Sequence, residues 1–84
     1  MTRATRYIRE SAERCRNGGI TVDWDSAYST VSIDSDDGQN AFMQGDEADQ
    51  FIDQIRAMCK HYPSLDEYTA ALALAEPYAE CLFN

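Results

Sequence analysis

The spacing of apolar residues changes twice along this chain, and the two changes fix what it can fold into. Ala4, Tyr7, Ile8, Ala12 and Cys15 recur three and four residues apart, with Arg3, Arg6, Arg9, Glu10, Glu13 and Arg16 on the other side. That pattern predicts an amphipathic helix over about residues 3–17. Asn17-Gly18-Gly19 follows, and residues tolerant of positive φ at that point give the helix a physical stop. From Ile20 the period is two. Ile20, Val22 and Trp24 alternate with Thr21, Asp23 and Asp25, and the run from Tyr28 to Asp34 alternates again, so two half-buried strands are expected. Ser35-Asp36-Asp37-Gly38 offers an Asp-Gly turn, and residues Gln39 to Gln44 supply a third strand of a short antiparallel meander.

The helical period returns at Asp46. Ala48, Phe51, Ile52, Ile55, Met58, Cys59 and Tyr62 form an apolar stripe, with Asp46 expected as its cap and Asp49 in the capping-box position. Pro63 stops this helix. Ser64 and Glu67 suggest a second capping box, and Leu65, Tyr68, Ala71, Leu72 and Ala75 begin a last helix that Pro77 interrupts or restarts. The expected fold is a single α+β domain spanning 1–84: an N-terminal helix, a three-stranded antiparallel meander, and two C-terminal helices, with the helices packed on one face of the sheet. The opposite face then carries Thr21, Asp23 and Asp25, with the orientation of the second strand left open.

A chain of 84 residues buries only about 60% of its unfolded surface or slightly more, so its stability is expected to be modest. No stretch approaches the roughly 20 apolar residues of a membrane span, and the N-terminus lacks the apolar core of a secretion signal. A soluble protein of the bacterial cytoplasm, without a membrane partner, is the expectation. Cys15, Cys59 and Cys81 are an odd count among apolar neighbours, which suits reduced core thiols.

The charge is distributed as unevenly as the apolar residues. Between Asn17 and Ile55 stand nine carboxylates (Asp23, Asp25, Asp34, Asp36, Asp37, Asp46, Glu47, Asp49 and Asp53) and no basic residue, whereas the first sixteen residues carry five Arg and two Glu. Hydrophobic content of 44% is too high for a disordered acidic tail, so the charge is displayed on a packed scaffold. Carboxylates two apart on a strand, as Asp23 and Asp25 are, stand about 6.8 Å apart. This is within an ångström or so of the spacing of successive phosphates along a nucleic-acid strand, and a duplex carries about one charge per 1.7 Å of axis. With a Debye length of about 8 Å, neighbours inside the cluster reinforce one another and their field steers a basic partner, raising association rates by roughly 10 to 1,000-fold.

Local explanations account for part of this. Asp46, Glu47 and Asp49 suit a helix N-terminus through the macrodipole, and Asp36 and Asp37 suit a turn. Asp23, Asp25, Asp34 and Asp53 lack so ready an explanation, the strand positions because acidic residues are disfavoured there. Such a surface repels phosphate, so no direct nucleic-acid binding is expected of it. The arginines of the first helix are expected to pair with Glu10, Glu13 or the acidic sheet edge.

No residue set carries catalysis, and no cofactor or metal is expected. Cys59 and His61 are a lone pair without the four ligands of a zinc site. Asp34, Asp36 and Asn40 imitate the start of a calcium loop, but Gly38 is in its fifth position and Gly45 stands where the bidentate Glu is needed.

The layout as a whole, with Ala41-Phe42-Met43-Gln44-Gly45-Asp46-Glu47-Ala48-Asp49 leading from strand into helix, resembles small acidic phage-encoded proteins of the type I anti-CRISPR kind. There an aromatic residue and Met likewise precede a run of acidic residues with Ala-Asp. The resemblance implies a DNA mimic: a stoichiometric inhibitor whose acidic face sits on the basic DNA-binding surface of a CRISPR-Cas effector complex. The positions that match are Asp46, Glu47 and Asp49; the other six carboxylates are candidates from charge density alone. The basic first helix departs from a uniformly acidic mimic and suits a contact with a second part of the target. The alternative expectation is a small assembly protein, monomer or homodimer, that self-associates through apolar or bipolar surfaces with Trp24, Tyr28, Phe42, Tyr78 and Phe83 as anchors.

Overall fold

Thr2 starts the first helix: its hydroxyl accepts a hydrogen bond from the Thr5 backbone N–H at 3.1 Å, satisfying one of the donors that every helix N-terminus leaves free. The computed structural model describes residues 2–82. Its elements are α1 (Arg3–Asn17), β1 (Ile20–Asp25), β2 (Thr30–Ser35), β3 (Asn40–Gln44), α2 (Asp46–His61) and α3 (Glu67–Leu82). This is the expected α+β order of helix, antiparallel meander and two helices, with strand order β1-β2-β3.

The predicted stops act where expected. Gly19 takes φ +78° after α1, a conformation that favours glycine, and a Cβ there would run into the Asp36 carboxylate. Ser35-Asp36-Asp37-Gly38 closes with a Gly38 N–H to Ser35 C=O bond of 3.1 Å, and Gly38 has φ +92°, the left-handed residue of a three-residue hairpin. Pro63 follows directly on Tyr62, which ends α2 outside the helical region at φ -123° and ψ 81°, since proline disfavours helical geometry in the residue before it.

Other details differ from the sequence reading. Tyr28 is not in the second strand; it lies in the turn between β1 and β2 and is 80% exposed. The Asp25 carboxylate accepts from the backbone N–H groups of Ala27 at 2.9 Å and Tyr28 at 3.3 Å and so builds that turn locally. Gly45, not Asp46, caps α2, and no side chain caps it. The last helix is capped by Asp66, not Ser64: its carboxylate accepts from the Thr69 N–H and hydroxyl. Pro77 neither interrupts nor restarts α3, which runs through it; the residue is exposed, and its lack of an N–H leaves the carbonyl of Ala73 without its helical donor. On α1 the buried face is Thr5, Ser11, Ala12 and Cys15, while Tyr7 is 65% exposed.

α3 lies between α1 and α2, α1 and α3 reach β1, and α2 covers β2 and β3. Ala70, Ala71 and Ala75 are fully buried and let the neighbouring helices approach α3 closely. Ile33, Ile55, Leu72 and Val31 are the largest fully buried side chains, joining sheet and helices in one core. Tyr78 packs edge-on to Phe51 at 5.9 Å between ring centroids. Of the cysteines only Cys15 is a core thiol. Its Sγ donates to the Leu72 carbonyl at 3.3 Å, and burial, reinforced by Glu76, pushes its pKa up to about 11. Cys59 is half-buried and Cys81 exposed.

The arginines of α1 do not reach the acidic sheet. Arg16 pairs with Glu13 at 3.0 Å as expected, but Arg14 forks onto Glu76 of α3 at 2.8 and 2.9 Å, and Glu76 also accepts from buried Ser11 at 2.8 Å. The Arg14 hydrogen bonds, with help from Ser11, hold the Glu76 carboxyl below the usual carboxylate range. A carboxylate with a lowered folded-state pKa adds stability above its unfolded-state value and loses it as pH falls through the lowered one. Between roughly pH 5 and pH 3, the urea midpoint of the wild type is therefore expected to fall more than that of Glu76→Gln. Glu76→Ala, which leaves the Ser11 hydroxyl without its acceptor, is expected to cost about 1 to 2 kcal/mol at neutral pH.

Candidate functional site: an uncovered acidic sheet face

Because side chains alternate along a strand, the pairing register decides what the sheet shows on each side. Val22 faces Ile33, Trp24 faces Val31, and these face Ala41 and Met43, all on the side of the helices. The second strand therefore turns Thr30, Ser32 and Asp34 outward. The outer face has three rows: Thr21, Asp34 and Asn40; Asp23, Ser32 and Phe42; Asp25, Thr30 and Gln44. All three helices lie on the other side, and the shortest extent of the Cα trace, 16 Å, is that of one helix layer on one sheet. The outer face is open.

Among the described residues, three carboxylates and no cation stand on it. Asp34 is diagonal to Asp23 in the register, a separation of about 7 to 8 Å, comparable with the Debye length at physiological salt of about 8 Å. Each is held differently. Asp34 accepts from the Ser32 hydroxyl at 3.1 Å and the Asn40 amide at 2.7 Å, which fixes its orientation. Asp25 is held by its turn. Asp23 has no hydrogen-bond or ion-pair partner among the described residues and is exposed.

The other candidates lie around this face. Asp37 is at the hairpin tip, accepting from the Ser35 hydroxyl and from Gln39 Nε2 at 3.1 Å, hydrogen bonds that lower its pKa. Asp36 folds back against Gly19. Asp46, Glu47 and Asp49 form the exposed first turn of α2, directly after β3 at the sheet end that carries Asp25 and Gln44. Asp53 stands apart: it is exposed on α2, in the helix layer, 4.0 Å from Arg56. The fold thus joins Asp23, Asp25 and Asp34 on one surface, places two acidic groups at its ends, and leaves Asp53 outside. Of the α1 arginines, Arg9 donates to the Ser64 carbonyl and Arg14 pairs with Glu76 of α3, so these two lie in the helix layer, on the other side of the sheet from the open face.

Phe42 is the surface residue that charge counting missed as a neighbour of these acids. It is 57% exposed in the row of Asp23, and its place in a period-two run opposite Ala41 and Met43 was the available signal. Of the other aromatic anchors, Trp24 and Tyr78 pack against the core, Tyr28 is exposed in its turn, and Phe83 lies outside the described residues. Among the described residues no three His, Cys, Asp or Glu side chains are arranged to hold a metal ion, and no helix is long and apolar enough to cross a membrane. His61, at the end of α2, rests edge-on against Tyr62 at 4.6 Å. Comparison of the chain with protein-family models, curated proteins and solved structures finds no match to any of the three.

Proposed function

We propose that this protein is a stoichiometric inhibitor that works by binding, its acidic sheet face occupying the basic nucleic-acid-binding surface of a CRISPR-Cas effector complex in the manner of a DNA mimic. The observation that carries the reading is the open face itself: Asp23, Asp25 and Asp34 stand on the sheet with, among the described residues, no helix over them and no cation among them. A carboxylate in a strand interior opposes β propensity, and like charges at this spacing repel. A basic partner relieves the repulsion on binding. Backbone register fixes where the three carboxylates stand, and hydrogen bonds also hold the Asp25 and Asp34 side chains, so these two lose little side-chain freedom when they meet arginines or lysines. The first turn of α2, with Asp46, Glu47 and Asp49, extends the negative surface past the end of the sheet, and these are the positions carried by the anti-CRISPR resemblance. No chemistry is involved, so the protein acts mole for mole and needs no cofactor.

The test is the salt dependence of binding to a purified type I effector complex. On immobilised protein, retention is expected at low salt, with affinity falling about tenfold or more between 50 and 200 mM salt, in the way phosphate contacts behave. Binding indifferent to salt contradicts a charge-mimicking face.

A further inference from the structure

We infer that the free edge of β3 is a strand-pairing site for a second copy of this chain, joining two three-stranded sheets into one continuous antiparallel sheet about a two-fold axis at Phe42. This does not rest on the acidic face binding a nucleic-acid-handling complex.

The backbone sets out the site. Ser35 N–H donates to the Gln39 carbonyl at 2.9 Å and Gly45 N–H to the Ser29 carbonyl at 3.0 Å. In an antiparallel ladder the bonded positions alternate, so Gln39, Ala41, Met43 and Gly45 direct their N–H and C=O groups to β2. Asn40, Phe42 and Gln44 direct theirs outward, and α2, which packs against β3, lies on the helix side of the sheet. Exposed edges are normally blunted by Lys, Pro, a bulge or an inward charge. The run from residue 38 to residue 45 has none of these, and it is uncharged between Asp37 and Asp46 in the most acidic part of the chain. The β1 edge differs: it carries Asp23 and Asp25, and α1 and α3 both pack against that strand.

The side chains identify the occupant. Laid antiparallel on itself about Phe42, β3 pairs Asn40 with Gln44 of the second copy, Ala41 with Met43, and Phe42 with Phe42. On the open face this sets ring against ring, a favourable cross-strand pair, and covers a Phe that is 57% exposed in the monomer; the Asn40 amide, whose two N–H groups go to Ser32 and Asp34, keeps its oxygen to accept from the Gln44 amide of the second copy. Three outward-facing pairs exchange about two backbone bonds each. The same geometry brings the Asp36-Asp37 turn of one copy toward Asp46 and Glu47 of the other. Repulsion at these flanks makes the dimer stronger as salt rises, opposite to the salt dependence of a charge-mimicking contact.

Sedimentation equilibrium over roughly 10 μM to 1 mM protein, with amide hydrogen exchange on the same samples, tests this. The mass is expected to rise from 9.5 kDa toward twice that, more readily at high salt. The amides of Asn40, Phe42 and Gln44 become protected with concentration, while those of Ala41 and Met43 are protected throughout. Phe42→Lys, which sets two like charges across the axis, is expected to weaken association at least tenfold. Gln44→Pro, which removes an outward N–H and leaves the β2 ladder intact, does the same with Phe42 in place. A mass of 9.5 kDa at every concentration overturns the proposal, as does a dimer in which the three outward amides stay unprotected. Association that salt weakens points instead to the arginines of α1 meeting the acidic face of another copy, and also overturns it.

Discussion

Changing Asp23 to Lys, Asp25 to Asn and Asp34 to Asn in one chain is expected to weaken binding to the basic effector surface by about 100-fold, or about 2.7 kcal/mol, without unfolding the protein. The substitutions follow from how each carboxylate is held. Asp23 has no partner to lose, so a full reversal tests charge alone. Asp25 supports its turn by accepting from two backbone N–H groups, and Asn keeps an acceptor there. Asp34 is tied to Ser32 and Asn40, and Asn again keeps one acceptor oxygen. Close charge pairs across an interface couple by about 1.5 to 7 kcal/mol, so the figure assumes only the low end of that range for the whole face. Asp53→Asn, in the helix layer beside Arg56, is the control and is expected to change affinity less than twofold. Isothermal titration calorimetry of the two variants against the purified complex measures the contrast, and equal losses would count against the open face.

Leu72→Ala is expected to have the largest effect on the fold itself. Leu72 is fully buried on α3, the helix that touches both other helices and the sheet's first strand, so the cavity opens where the layers meet and no single element can collapse into it. Such truncations cost about 2 to 5 kcal/mol. In a domain whose total stability is about 5 to 15 kcal/mol, a loss of about 3 kcal/mol lowers the melting temperature by roughly 12 to 24 °C. Circular dichroism melts decide it, with Tyr68→Ala, at a residue 37% exposed on the same helix, expected to move the midpoint only a few degrees.

These two variants separate what the sequence makes legible from what it leaves hidden. Element order follows from the apolar period, whereas the alternation of the second strand left its orientation open, and the pairing register settles it: Val31 and Ile33 turn inward, so Asp34 turns outward. The helix stop at Gly19 and the hairpin at Gly38 are equally legible, since each needs a positive φ. Caps were misread where two candidates lie close together. Ser64 and Asp66 both precede the last helix, and only the geometry of Thr69 selects Asp66. Pro77 resembles a breaker in one dimension, but on the exposed side of a helix it costs a single hydrogen bond. The Arg14, Ser11 and Glu76 contact joins residues more than sixty positions apart, and no local pattern announces it. Likewise nine carboxylates adjacent in sequence become three on a face, with others at its ends and one behind, because a sheet followed by a helix turns its charges in different directions.

The proposed function meets its most direct test in competition. A purified type I effector complex is held at fixed concentration with labelled target duplex, and the protein is titrated in while the fraction of duplex bound is measured by fluorescence anisotropy. Displacement of the duplex, complete at a fixed molar ratio and lost in the variant altered at Asp23, Asp25 and Asp34, is the result predicted here. A ternary complex in which protein and duplex are bound together, or displacement that the altered face performs equally well, would contradict it.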